Sequence, residues 1–149
     1  MTPYAMASLP VMLGIKSGSK VSVINPPRGF VQQLNPLPDG VEFLITAQTG
    51  LDVILFFTQD AHELVQRLPA LSRAMALTGG IWVCWPSGEG IKTSLSEDFI
   101  RQAALDIGLV DNKICIIDST WTGLRLIRRP RGGRLDKPES RKRAPTAQA

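Results

Sequence analysis

Hydrophobic positions change their spacing repeatedly along this chain, and each change marks an expected element. Val21, Val23 and Ile24 form a β-branched run that halts at Pro26-Pro27, because proline has no amide to give a strand ladder. Strand one is therefore placed at 20–25. Phe30 to Leu34 suits a brief helix, closed by the turn formers Asn35, Pro36, Pro38, Asp39 and Gly40. Strand two follows at Val41 to Ile45. Asp52 to Phe57 is apolar on both faces after its first residue, the pattern of a central parallel strand covered on both sides. From Asp60 to Leu77, the positions Ala61, Leu64, Val65, Leu68, Leu71 and Met75 recur at helical spacing and predict an amphipathic helix. Pro69 should split or kink that helix, since its ring clashes with the preceding turn, and Gly79-Gly80 should end it. Ile81 to Trp85 is then a second apolar strand, stopped by Pro86.

Ser94-Leu-Ser-Glu97 has the spacing of a capping box, in which the hydroxyl takes one orphan helix amide and the glutamate another. Leu95, Phe99, Ile100, Ala103 and Ile107 continue as a helical stripe, with Gly108 at the expected cap. Strand five is placed at Lys113 to Ile117 and strand six at Leu124 to Arg128. The turn-like Asp118 to Gly123, which takes in Trp121, lies between them, so the two should pair as an antiparallel hairpin. Residues 1–19 show no clear period and read as a lead-in that packs only near Leu13 and Ile15. Strands alternating with helices before a terminal hairpin predict a three-layer, Rossmann-like open α/β sheet. The sheet should be mostly parallel, in the order 2-1-3-4-6-5, with strand six antiparallel.

That layout resembles the class I methyltransferase fold reduced by one strand and its helix. Leu68-Pro-Ala-Leu71 with Gly79-Gly-Ile-Trp-Val83 is similar to the helix, glycine turn and strand those enzymes carry at the same place. Longer strings carry a second resemblance. They are Leu13-Gly-Ile-Lys-Ser-Gly18, Val23-Ile-Asn-Pro-Pro27 with Gly29-Phe30, Trp82-Val-Cys-Trp-Pro86, Gly108-Leu-Val-Asp-Asn-Lys-Ile114, and Ile117-Asp-Ser-Thr-Trp-Thr-Gly-Leu124. Together they resemble a family of small bacterial proteins, a domain of unknown function, over residues 13–128. Ser87 stands where members of that family often carry lysine. The resemblance implies the fold and implies no activity.

Charge divides the chain. From Arg129 onward, Arg129, Arg131, Arg134, Lys137, Arg141, Lys142 and Arg143 face only Asp136 and Glu139, so a net +5 sits in residues 129–149 and residues 1–128 come to −1. That segment has almost no apolar content after Leu135 and is expected to be a disordered basic tail. Its seven cations suit weak, nonspecific contact with nucleic acid through phosphate neutralisation, and it has no aromatic side chain for base stacking. Cys84 and Cys115 sit inside apolar runs with no metal-ligand spacing, as buried thiols would. There is no basic segment ahead of the short apolar stretch Leu9 to Leu13, and no run is long enough to span a membrane, so a cytoplasmic setting is expected.

Nucleotide-type cofactors on such a sheet use a glycine-rich turn after strand one and an acidic residue ending strand two. Here the turn is Asn25-Pro-Pro-Arg-Gly-Phe30, and no carboxylate follows strand two before Asp52. Asn25-Pro-Pro27 also falls short of the Asn-Pro-Pro-aromatic motif of adenine and glutamine N-methyltransferases, because Phe30 comes two places late. The sole histidine, His62, lies beside Asp60 and Glu63 at a helix start and reads as exposed, while Glu97 and Asp98 complement a helix dipole. The expected function is therefore a non-catalytic, Rossmann-like binding or interaction domain with no cofactor and no metal. The alternatives are a divergent S-adenosylmethionine-dependent methyltransferase and a nucleic-acid accessory protein acting through the tail. A ligand site should lie where strand order reverses, between strands one and three. Arg28 and Lys92 would hold an anionic small molecule there, with Asn25, Gly29, Thr58 and Asp60 around it and Trp85 at the same edge.

Overall fold

The structure is a computed structural model, and it describes residues 8–44, 49–88 and 92–130. The strands are β1 (Lys20–Ile24), β2 (Glu42–Phe43), β3 (Leu51–Phe57), β4 (Met75–Pro86), β5 (Leu109–Ile116) and β6 (Trp121–Arg128). They form one sheet in the order β2-β1-β3-β4-β6-β5. Neighbours from β2 to β4 run parallel, and β6 runs antiparallel to both β4 and β5. This is the expected order with the expected antiparallel strand. The helices are α1 (Leu9–Leu13), α2 (Phe30–Gln33), α3 (Ala61–Ala74) and α4 (Glu97–Asp106).

Two cores follow from the alternation of side chains along the strands. Ile54 and Phe56 of β3 pack with Leu64, Leu68 and Leu71 of α3 and Ile100 and Ala104 of α4. Val53, Leu55 and Phe57 face the other way, towards Leu13 of α1 and Phe30 of α2. Trp82 and Trp85, three apart on β4, divide between the two cores as their spacing requires. Cys84 and Cys115 are buried and unpaired, and burial pushes both thiols above their ordinary range.

Several boundaries differ from the sequence expectation, each for a local reason. The lead-in contains a real helix, α1, too short to show a period; Ser8 caps it, and the left-handed Gly14 closes it at φ 81°. Within the described residues strand two is the two-residue β2, which pairs with β1 at Lys20 and Val21, and Ile45 of the expected strand lies outside them. Helix α3 ends at Ala74 rather than Leu77, because Met75 already pairs with Leu51 of β3. It runs through Pro69 as one element: three buried leucines, at about 1.5–3 kcal/mol each, outweigh the roughly 3 kcal/mol of an internal proline. Gly79-Gly80 therefore lies inside β4, not at a helix end. The cap of α4 is Ser96, whose hydroxyl accepts from the Phe99 amide. Ser94 instead accepts from the Ala61 amide at 2.7 Å, and Glu97 pairs with Arg101. Trp121 opens β6 opposite Pro86 rather than lying in a turn. Of the expected tail, only Arg129 and Pro130 fall within the described residues.

Arg128 holds the junction of α3 and β4. Its guanidinium donates to the carbonyls of Ala76 (2.7 Å), Ser72 (3.0 Å) and Met75 (3.2 Å), tying the last turn of α3 to the first residues of β4. Replacing Arg128 with Met should remove these charge-assisted bonds, cost about 2 kcal/mol and lower the melting temperature by roughly 5–10 °C. A shift below about 2 °C in a thermal melt would show that the junction stands without it.

Candidate functional site

The carboxyl ends of β1 and β3 meet at the point where strand order reverses, and a cavity of about 430 Å³ opens there. Strand β1 gives way to Asn25, which turns the chain out of the sheet at φ 56°. Pro26 and Pro27 keep it out of the ladder. Gly29, left-handed at φ 83°, then starts α2. Beneath the cavity, Phe30 meets Phe57 edge-on at 4.6 Å, and Phe57 meets Trp121 edge-on at 5.2 Å. Phe30 is buried behind Phe57 and neither lines nor fills the cavity. Pro27, Phe57 and Trp121 supply the apolar lining.

The polar lining is organised by Glu63, in the first turn of α3. One carboxylate oxygen accepts from the Thr58 hydroxyl at 2.6 Å and the other from the Asn25 amide at 3.2 Å. Asn25 also donates to the Phe57 carbonyl at 3.3 Å, and the Thr58 hydroxyl accepts from the Asp60 amide at 3.2 Å. Asp60 caps α3 through the His62 amide. These bonds join the ends of β1 and β3 to the helix start and leave lone pairs on the Glu63 oxygens for a ligand.

The structure brings Asn25, Thr58 and Asp60 together around one cavity. Arg28 and Gly29 are exposed on the same loop and do not line it, and Lys92 is exposed on a neighbouring loop. Trp85 is buried on the opposite face of the sheet, in the core under α3 and α4. Among the described residues the lining therefore holds two carboxylates and no cation. Pro27, Phe57, Gln59, Glu63 and Trp121 are the lining residues that sequence reasoning did not name for the site, and Glu63 is the one that organises the rest. Asp60-Ala-His-Glu63 has capping-box spacing, and that was the available signal; the glutamate, however, turns to Thr58 and Asn25 rather than back to its own cap.

Among the described residues the ordinary nucleotide-holding features do not appear. Pro26 and Pro27 have no amide to offer, the Phe30 amide is taken by the Pro27 carbonyl at 3.0 Å, and neither β2 nor the residues up to Asp52 supply a carboxylate beyond Glu42 within the strand. Asp52 itself sits at the other end of the sheet, accepting from the Lys20 amide at 2.9 Å. Among the described residues there is no cluster of metal-ligating side chains, and no helix is long and apolar enough to cross a membrane.

No protein-family model matches the chain, and no curated protein does. Solved structures match it in fold. The mitomycin 7-O-methyltransferase MmcR superposes with a TM-score of 0.61 at 11% identity over 75% of this chain, which spans only 49% of that enzyme. DhpI in complex with SAH gives a TM-score of 0.58 at 13% identity, covering 87% of this chain and 86% of that one. A structure from Sulfolobus solfataricus assigned to the type 11 methyltransferases gives 0.57 at 16% identity, covering 93% and 98%. These matches overturn the expectation of a non-catalytic binding or interaction module. That expectation rested on two loops, whereas the whole sheet and its helices follow the plan of methyl-transfer proteins. The chain has a class I methyltransferase-like, Rossmann-type fold.

Proposed function

We propose that this chain is an S-adenosylmethionine-dependent methyltransferase with a divergent cofactor pocket, seated in the cavity between β1 and β3. The observation that carries this reading is the Glu63 carboxylate, fixed by Thr58 and Asn25 at the edge where such a sheet binds its ligands. S-adenosylmethionine has no phosphate, so the loss of an amide-rich turn removes less than it would for a dinucleotide. Its diol, its ammonium and its sulfonium are served by acceptors and negative charge, which Glu63 and Asp60 provide. Its adenine needs an apolar slot, and Pro27 and Trp121 flank one. A cavity of about 430 Å³ also lies within the usual range for small-molecule sites, roughly 300–1,000 Å³.

In this arrangement Glu63 moves the acidic ribose contact from the end of β2 to the start of α3, and Asn25 and Thr58 hold it in place. Phe57 and Trp121 exclude water from the floor. When bound, the cofactor supplies an activated methyl group. Calorimetric titration with SAH tests the assignment: saturable binding is expected, weakened at least tenfold by Glu63→Gln, which removes the charge and keeps the shape. The absence of saturable heat with folded protein at millimolar SAH would refute it.

A further inference from the structure

A second cavity, of about 340 Å³, lies towards the opposite end of the sheet, beneath the loop from α1 to β1. Three separate segments deliver cations to it: Lys16 from that loop, Lys113 from β5 and Arg125 from β6. Asp52 is the one carboxylate in the lining, and it is engaged by the Lys20 amide. Among the described residues none of the three cations has a carboxylate within salt-bridge distance.

Arg125 is the least explained. Its guanidinium lies across Gly80 of β4, where a β-carbon would come within 2.6–2.9 Å of it, so the strand gives up a side chain to make room. Its one protein hydrogen bond of note is a long 3.4 Å contact to the Asn112 side chain. Burial alone holds its pKa below the ordinary arginine range, because no carboxylate compensates the desolvation. A half-buried guanidinium without a counter-ion is costly unless something anionic arrives.

The cavity continues into a third, of about 580 Å³, that shares Met12, Trp82 and Lys113 with it. This one is apolar, lined further by Ile114, Cys115 and Ile116 of the edge strand. Met12, 41% exposed, and Cys115 share the face of Trp82 and the three cations, whereas Ile114 and Ile116 alternate with them on β5 and turn their side chains to the other face of the sheet. Lys113 stands between the two halves.

We propose that these adjoining cavities form a binding site for a small anionic amphiphile. A phosphate or carboxylate head would lie between Lys16, Lys113 and Arg125, and an apolar body would lie along Met12, Trp82 and Cys115. The site is separate from the Glu63 pocket and does not depend on the methyltransferase reading. A charge-assisted pair with a guanidinium explains the Gly80 notch, and a short alkyl or aryl body explains the exposed Met12 beside it.

Calorimetry on the full chain with octyl phosphate, octanoate, octyltrimethylammonium and inorganic phosphate, all below micelle-forming concentrations, tests this. Octyl phosphate and octanoate should bind saturably, and the cationic amphiphile and inorganic phosphate at least tenfold more weakly. Arg125→Gln and the exposed Lys113→Gln should each weaken octyl phosphate binding about tenfold, and Met12→Ser should do so through the apolar half. Lys113→Gln and Met12→Ser change exposed side chains, so their effects are readable even if Arg125→Gln fails to fold. Equal binding of the cationic amphiphile, unchanged affinity in the folded variants, or no saturable binding of either anion would overturn the proposal. So would sedimentation with phosphatidylglycerol vesicles in the absence of octyl phosphate binding, which would make the surface a membrane contact.

Discussion

Replacing Trp82 with Ala should cost about 3–5 kcal/mol, a large part of the roughly 5–15 kcal/mol that holds a domain folded. The indole is 1% exposed, packs among Leu13, Val53 and Leu55, and donates through Nε1 to the Leu13 carbonyl at 2.9 Å. The substitution removes three contributions together: the transfer energy of a large aromatic, the packing around the resulting cavity, and the bond that pins the end of α1. The urea midpoint should fall by about 2 M. Trp82→Phe separates the terms, because it keeps most of the volume and strands the Leu13 carbonyl, and should cost about 1–3 kcal/mol. Hydrogen exchange adds a local readout: the Ile15 amide, bonded to the Pro10 carbonyl at 2.9 Å, should lose protection as α1 loosens. An unchanged midpoint in Trp82→Ala would mean that the face under α1 contributes little to stability.

Gly79→Ala is the second large effect, and it acts through the backbone. A β-carbon at this position would lie 2.6 Å from the Leu51 carbonyl oxygen and 3.0 Å from that of Asp52. Neither oxygen is the free end of a side chain, so the strands must separate where their register already shifts, between Leu51 and Val53. The cost should reach the upper part of the roughly 1–3 kcal/mol range for overpacking, with a lower melting temperature and a changed near-ultraviolet spectrum from displaced Trp82. Gly80→Ala offers a contrast, since its β-carbon would meet the Arg125 guanidinium, which can swing away. A melting temperature for Gly79→Ala equal to that of the parent would show that the two strands part there at no cost.

These two glycines show what a sequence conceals. Gly79-Gly80 after an apolar helical stripe reads as a helix stop, because local patterning contains nothing of Leu51 or Arg125, which are distant in sequence. The true stop, four residues earlier, comes from β3 pairing and from Arg128 reaching back some fifty positions to the carbonyls of Ser72, Met75 and Ala76. Ser94 and Ser96 make the same point at α4. Either spacing could cap that helix, and the choice fell to Ser96 because the Ala61 amide claims Ser94.

The strand order and the central place of β3 were legible in the chain alone, because burial on both faces demands a continuous apolar run and the connections leave few topologies. The position of a cavity at the β1–β3 edge was legible for the same topological reason. Its composition was not. Arg28 and Asn25 share a loop, yet Asn25, at φ 56°, turns inward to Glu63 while Arg28 stays in solvent, and the lining becomes acidic where an anion site was expected. Glu63 enters through a helix start and Trp121 through a β6 longer than its apolar run suggested. Periodicity reports which face of an element is buried; which side chains from different elements meet is decided by strand register and helix docking, and these are set only when the whole sheet closes on its two cores.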